Sequence, residues 1–395
     1  MPHPPEILSE RLLLPELKLR RVIYNRDHLY VFVEKESSGE VCPGCAGFCV
    51  TGYDTRQVRV KDEPIRERKV ILYIRKRRFF CRPCGRVFME PVGGIMPRRR
   101  STQRFRRAVL LACENFSSIK RVRKKFNVSA SFVYTALYEQ LELRRRTRLY
   151  PFTSAIGIDE HAMKRNRKYG HVEFNTIVVD LKNHRPIEVI PGKDAATLRQ
   201  CLDPIAGPEN VRWAVIDMCD PYRKFIRGYF PIAQIVADKF HVLRLITPIL
   251  NRARIEITGD QRSNPVRRLL LRKRETLSYF ERSALDKWLE HHPQMREVYF
   301  YKEALRRFYR CRGRDRAKRS LIALLDHMAA SQLPEIKRLR STLKRWLDEI
   351  LNHFSSGLTN AQTEGFNNKA KVAKRMAYGY RSQNNFRLRV LNACA

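Results

Sequence analysis

Apolar positions recur along the chain with two different periods, and the changes of period divide it into segments. Residues 41–90 hold short β-like runs, Gln57–Val60 and Val70–Ile74 among them. Residues 98–150 switch to helical spacing. Phe105, Val109 and Ala112 share one face of Ser101–Asn115. Ile119, Val122 and Phe126 do the same in Ser117–Phe126, and Val133, Leu137 and Leu141 in a third segment reaching Leu143. Ser117 and either Ser129 or Ser131 stand where helix N-caps are favoured, and Asn127–Ser129 is a short turn. Helix, short turn and capped helix is the trihelical helix-turn-helix plan, although a basic helical linker carries the same pattern. In that plan Ser129, Ser131 and Tyr134 lie near a DNA groove, and Lys120, Arg121 and Lys124 flank its backbone.

Residues 151–240 alternate between strands and short helices. Ala155–Asp159, Tyr169–Leu181 and Arg185–Ile190 read as a three-strand meander. Asp194–Leu202 then reads as a helix, Val211–Asp217 as a strand, Pro221–Tyr229 as a helix and Ile232–Asp238 as a fifth strand. That order is the RNase H-like one, in which the ends of the first and fourth strands lie side by side and Asp159 and Asp217 converge. Residues 245–355 are helical and basic. Ile336, Leu339, Leu343, Trp346, Ile350 and Phe354 repeat as one amphipathic helix would, so the segment reads as an all-α insertion. After a break at Ser355–Asn360, Thr359 and Gln362 have capping-box spacing. The helix they open sets Glu364, Asn367, Asn368, Lys371 and Arg375 on one face. The expected fold class is multidomain α+β. A lead-in (1–40) precedes a zinc-binding domain (41–92) and a helix-turn-helix (98–150). An RNase H-like core (151–244) follows, interrupted by the insertion (245–355) and completed by a C-terminal helical part (356–395).

Charge narrows the partners. The 395 residues include 79 Lys plus Arg against 40 Asp plus Glu, a net charge of +39. Self-repulsion on that scale calls for a polyanionic partner and argues against most small-metabolite enzymes. Hydrophobic residues at 43% can build real cores. No apolar run approaches the ~18–20 residues of a membrane helix, and Met1–Leu17 lacks the basic start and apolar stretch of a signal peptide. A cytoplasmic protein with reduced or metal-bound cysteines is expected.

Two C-x-x-C pairs, Cys42–Cys45 and Cys81–Cys84, are separated by 35 residues. Four thiolates suit tetrahedral Zn²⁺, and a zinc ribbon with an enlarged hairpin would absorb the gap. Cys49 competes as a ligand but breaks the symmetry of the two pairs. Arg77 and Arg78, just before the second pair, combine with Phe79 and Phe80 as candidate phosphate contacts.

Acids ending apolar strands carry the candidate chemistry. Asp159 and Asp217 need a third carboxylate to hold two divalent ions, and Glu364 is the candidate. Lys371 and Arg375 on its helix suit phosphates; a surface helix with internal charge pairs reads the same way. Strand alternation turns Glu160 away from Asp159, and Asp220 is expected to cap the following helix.

At this point the chain resembles the ISL-three (ISL3) family of bacterial insertion-sequence transposases over nearly its whole length. The resemblance rests on the double knuckle with Arg77–Glu90, on Ile156–Glu160 and on Val215–Tyr222. Val236–Val242 and Asn360–Asn367 complete it. Cys219 stands where such sequences often have a large residue. The resemblance implies a DDE transposase with Asp159, Asp217 and Glu364 as catalytic triad and ligands of Mg²⁺ (or Mn²⁺). Asp238 and His241 look like the D-x-x-H element that accompanies the triad; His241 would orient the phosphate, bond Asp238 or serve as a buried structural histidine. The partners implied are double-stranded DNA, as element ends and target, and further copies of the chain on that DNA, near the bacterial nucleoid. A DNA-binding regulator with an inactive core is the alternative.

Overall fold

The structure is a computed structural model that describes residues 14–114, 118–165, 172–259 and 265–393. It divides into two compact units, Met1–Arg144 and Arg145–Ala395.

In the first unit, β1 (Leu17–Tyr24) pairs antiparallel with β2 (His28–Lys35), and two short strands, β3 (Glu40–Val41) and β4 (Phe48–Cys49), pair with each other. A long hairpin follows, β5 (Gly52–Ile65) with β6 (Arg68–Cys81), and β7 (Arg86–Met89) pairs with the end of β6. The sheet order is β1-β2-β6-β5, with β2 and β6 parallel. Leu17–Lys35, expected as a lead-in, therefore supplies two strands of this sheet. The cause is alternation: Val31 and Val33 turn to one face and join Val60, Val70, Leu72 and Ile74 in a core. The hairpin turns at Arg66 and Glu67, both with positive φ.

Three helices follow: α1 (Gln103–Glu114), α2 (Ile119–Phe126) and α3 (Ala130–Thr147). Their buried positions include the expected Phe105, Val109, Val122, Phe126, Val133, Leu137 and Leu141. Phe105 meets Phe126 edge-on with centroids 5.7 Å apart. Asn127, at φ 49°, ends α2 in the left-handed region. Asn115 and the proposed cap Ser117 lie outside the described residues.

The second unit holds a mixed sheet of order β10-β9-β8-β11-β12. Its strands are β8 (Ala155–Arg165), β9 (Val172–Asp180), β10 (Arg185–Pro191), β11 (Trp213–Ile216) and β12 (Gln234–Ala237). β8, β9 and β10 form an antiparallel meander, and β8–β11 and β11–β12 are parallel. Tyr169, at the expected start of the second strand, lies outside the described residues. Helices α4 (Ala195–Leu202) and α5 (Asp220–Tyr229) make the crossovers. α5 begins at Asp220, with Cys219 in the cap position, so Asp220 is not the cap; its carboxylate instead faces Arg345 at 3.4 Å.

After β12 come α6 (Lys239–Arg244), α7 (Ile246–Thr258), α8 (Pro265–Leu271), α9 (Tyr279–Glu290), α10 (Pro293–Phe308), α11 (Arg314–Ala329), α12 (Pro334–Arg345) and α13 (Leu347–Ser356). The single helix expected through Ile336–Phe354 is two. The chain bends at buried Trp346, and α13 lies along β12, where Asn352 Nδ2 donates to Ile235 O at 2.8 Å. The last helices are α14 (Ala361–Met376) and α15 (Gln383–Ala393). α14 starts after Asn360, without the capping box expected of Thr359 and Gln362, because Asn360 is engaged by the sheet.

Candidate functional site

Register builds an acidic row. Ile158, Ile216 and Ala237 are paired across β8, β11 and β12, all three parallel. The next residue on each is an acid: Asp159, Asp217 and Asp238. Buried apolar strands thus deliver three carboxylates to one edge of the sheet. Asp238 also caps α6, accepting from the amides of Phe240 at 3.0 Å and His241 at 3.2 Å. The cap aims His241 back at the row, where Nδ1 lies 2.8 Å from Asp217 Oδ1 and 3.0 Å from Asp238 Oδ2.

The charges in this row are interdependent. His241 is pushed up to about 10 by Asp217 and then Asp238, so it carries a proton and a positive charge. Asp159 is pushed up to about 6, first by burial and then by the neighbouring Asp217 charge. Burial would raise Asp238, but His241 and the Asn360 amide hold it below the ordinary range.

α14 closes the site. Asn360 N donates to Asp238 Oδ1 at 2.9 Å, and its Nδ2 donates to Ile158 O at 3.2 Å. Gly157 lets the helix lie this close: a Cβ there would overlap Thr363 Oγ1 and sit 2.7 Å from Asn360 Oδ1. Two turns into α14, Asn367 Nδ2 donates to Asp159 Oδ2 at 2.7 Å. Glu364 lies one turn before Asn367 and is exposed. It is not among the described groups whose ligand atoms converge; those are the four cysteines and Asp217, Asp238 and His241. Lys371 and Arg375 are exposed on α14, while Lys374 Nζ is fixed to Ala162 O at 3.0 Å and Met163 O at 2.6 Å. Glu160 faces Lys193 at 3.3 Å. In the sequence Asn367 stands out only as a helix-face amide three residues after a candidate acid, and His161 carries no signal of its own.

The chemistry of the row fits divalent cations. Asp159 and Asp217 repel each other across adjacent strands, and oxygen donors of this kind bind hard cations. At the other site, Cys42, Cys45, Cys81 and Cys84 converge, with Sγ–Sγ distances of 3.5 Å (Cys42–Cys84) and 3.4 Å (Cys45–Cys81). A tetrahedron of zinc–thiolate bonds has edges of about 3.8 Å, so the cluster fits Zn²⁺. The Gly44 amide, 3.4 Å from Cys42 Sγ, holds that thiol down at about 6. Cys81 is pushed up to about 11, burial and the Cys45 sulfur outweighing the Cys84 amide. One thiolate forms readily and disfavours the next, a conflict a dication resolves. Cys49 Sγ instead points to Gly47 O at 3.6 Å, outside the four.

The candidate DNA contacts differ in availability. Arg77 is engaged by Glu90 at 3.0 Å and by Ser37 O at 2.7 Å, and Arg78 by Asp54, with an Nε–Oδ1 distance of 2.6 Å. Lys120, Arg121 and Lys124 are exposed on α2, which has no acid. Ser129 Oγ accepts from Phe132 N at 3.1 Å and so caps α3; exposed Ser131 sits beside it at 3.0 Å. Tyr134 is exposed and stacked on Tyr138. No helix among the described residues is long and apolar enough to cross a membrane.

Comparison with known proteins gives these sites their class. Residues 156–390, which include Asp159, Asp217, Asp238, His241 and Glu364, match the transposase family ISL3 of DDE type. Residues 38–84, which include the four cysteines, match the zinc-finger of transposase IS204/IS1001/IS1096/IS1165. The transposase for insertion sequence element IS1001 of Bordetella parapertussis is 26% identical over 373 residues, covering 92% of this chain and 90% of that protein. The transposase for IS1557 of Mycobacterium tuberculosis is 26% identical over 261 residues, covering 58% of this chain and 57% of that protein. The class is transposase. The chain belongs to the ISL3 family of insertion-sequence transposases.

Proposed function

We propose that the protein binds the terminal inverted repeats of an insertion sequence and catalyses cleavage and strand transfer at the element ends. The observation that carries this reading is the placement of Asp159 and Asp217 on adjacent parallel strands beneath the helix that bears Glu364. The meander–crossover–crossover order of the sheet supports an RNase H-like core, and helices α1 to α3 support a helix-turn-helix. Asp159, Asp217 and Glu364 are the residues that would hold Mg²⁺ or Mn²⁺. The ions would supply the charge for in-line phosphoryl displacement by water and then by the freed 3′-hydroxyl.

The chain's own groups set up that step. Asn367 orients the Asp159 carboxylate. His241, held between Asp217 and Asp238, spaces the row and stands near the phosphate position. Lys371 and Arg375 would grip phosphates beside Glu364. Lys120, Arg121, Lys124, Ser131 and Tyr134 would meet the element end, with Ser129 holding the start of α3. Arg77 and Arg78 would reach phosphate only by leaving their acidic partners. Two ends must be paired, so assembly of two or more copies on DNA is part of the proposal, as is action in the bacterial cytoplasm.

The test is cleavage of a labelled terminal repeat with Mg²⁺. Asp217→Asn is expected to abolish cleavage and strand transfer while the protein still folds and binds the repeat nearly as the parent does. Undiminished cleavage would overturn the assignment. A parent protein that binds but never cleaves would favour a regulator with an inactive core.

A further inference from the structure

The N-terminal sheet has a second face. Residues paired across strands share a face, so the register defines rows. One row runs Arg21–Phe32–Tyr73–Arg59 across β1, β2, β6 and β5. It lies opposite the face that carries Val31, Val33, Leu72 and Ile74 into the core. Phe32 stacks on Tyr73 with centroids 5.0 Å apart and planes 11° apart, and Tyr30 adjoins Tyr73 at 6.2 Å. This aromatic strip occupies the two central strands and is half-buried.

Cations border it on both sides. Arg21 and Arg59, on the two outer strands, are exposed and separated by three strand spacings, about 14 Å. Arg75, one row along, is exposed as well. Glu34 lies across from Arg75 in the register, but among the described residues no acid forms an ion pair with any of the three. Two acids lie near them: Glu34 is taken by Arg20 and Glu36 by Lys18, 2.9 Å away.

We propose that this face binds single-stranded DNA, with bases against Tyr30, Phe32 and Tyr73 and phosphates at Arg21, Arg59 and Arg75. Phosphate contacts alone would suit a duplex, but a duplex keeps its base faces stacked and leaves the aromatic strip without use. An unpaired strand uses both features, since every base has a face to stack and a phosphate on either side. The absence of a free acid on the rows selects a polyanion over an ordinary protein partner. Binding here requires no cleavage, so the inference stands independently of the catalytic proposal.

The experiment is fluorescence anisotropy of the full-length, zinc-loaded protein with labelled oligo(dT), a duplex of unrelated sequence and oligo(U) RNA, without Mg²⁺. Phe32→Leu with Tyr73→Leu is expected to weaken oligo(dT) binding about tenfold and to leave duplex binding within twofold. Arg21→Gln with Arg59→Gln, which removes no packing, is expected to lower the salt dependence, the slope of log K against log salt, by about 1.4. Lys120→Gln with Lys124→Gln should weaken the duplex and spare oligo(dT). Oligo(dT) binding unchanged by the first two pairs, equal losses for duplex and single strand, or preference for RNA would each overturn the proposal. Melting temperature and zinc content distinguish a misfolded variant, and the arginine pair keeps the test decisive if the leucine pair unfolds.

Discussion

Asn367 reads the Asp159 carboxylate and hands its orientation to His161. Its Nδ2 donates to Asp159 Oδ2 at 2.7 Å, and its Oδ1 lies 2.9 Å from His161 Nδ1. A carboxylate only accepts, so Asp159 fixes which end of the amide faces it. The amide oxygen then requires the Nδ1–H form of His161. Burial drives His161 down to about 4, which keeps it neutral and in that form. Asn367→Ala frees the carboxylate to rotate. Cleavage of a terminal repeat should fall ~10–100-fold, with folding weakened by only about 1–3 kcal/mol. Rates and melting curves on the same preparations separate the two effects. A rate equal to the parent's would show that Asp159 does not need its orienting partner.

This network marks the limit of what was legible in the chain. Asp159 and Asp217 stand out because each ends an apolar strand, a local pattern. The row they form with Asp238 follows from parallel register, which strand order already implies. Asn367 and His161 are 206 positions apart, and no local period joins them. The same holds at Trp346, where an unbroken apolar repeat hid a bend between α12 and α13. Periodicity records which face is buried, not whether the axis continues. In residues 17–35, β1 is exposed along most of its length and pairs only with β2, and β2 finds its other partner, β6, beyond the zinc knuckle, so neither strand carries a strong local signal.

Protonated His241 between two carboxylates makes the metal-free protein pH-sensitive. Its folded pKa, about 10, lies above the unfolded value near 6.5. Its contribution to stability is therefore fully present below about pH 6.5 and is lost as pH rises through 10. His241→Gln removes that contribution. The difference in melting temperature between parent and variant, measured with chelator present, should be largest near pH 6 and shrink steadily toward pH 10. A difference independent of pH would show that the imidazole is neutral in this site.

The zinc cluster predicts a stoichiometry. Substituting Ser for Cys42, Cys45, Cys81 or Cys84 should lower bound zinc from one ion per chain and destabilise the first unit, because β6 and β7 meet at Cys81 and Arg86. Cys49→Ser should retain one ion, since its sulfur points to Gly47 O. Zinc content by mass spectrometry, alongside chelator-dependent melting, checks both. Loss of zinc in Cys49→Ser would place that sulfur among the ligands.

Glu349 joins the helical region to α5 and gives a separate test of the packing. Its buried carboxylate accepts from Arg223 Nε at 2.7 Å and Arg227 Nη2 at 3.0 Å, and the Arg223 guanidinium lies over Trp346, 4.6 Å from its ring centroid. Removing one member of a fully buried pair costs about 3–5 kcal/mol. Arg227 is 62% exposed and recovers water when its partner is lost, so Glu349→Ala should cost less, about 2–4 kcal/mol. Replacing both Glu349 and Arg223 with Met fills most of the space and leaves only Arg227, which is 62% exposed, without its carboxylate. Denaturant titration should then place the double variant closer to the parent than Glu349→Ala. If the double variant is the weaker of the two, packing over Trp346 dominates and the ion pair contributes little.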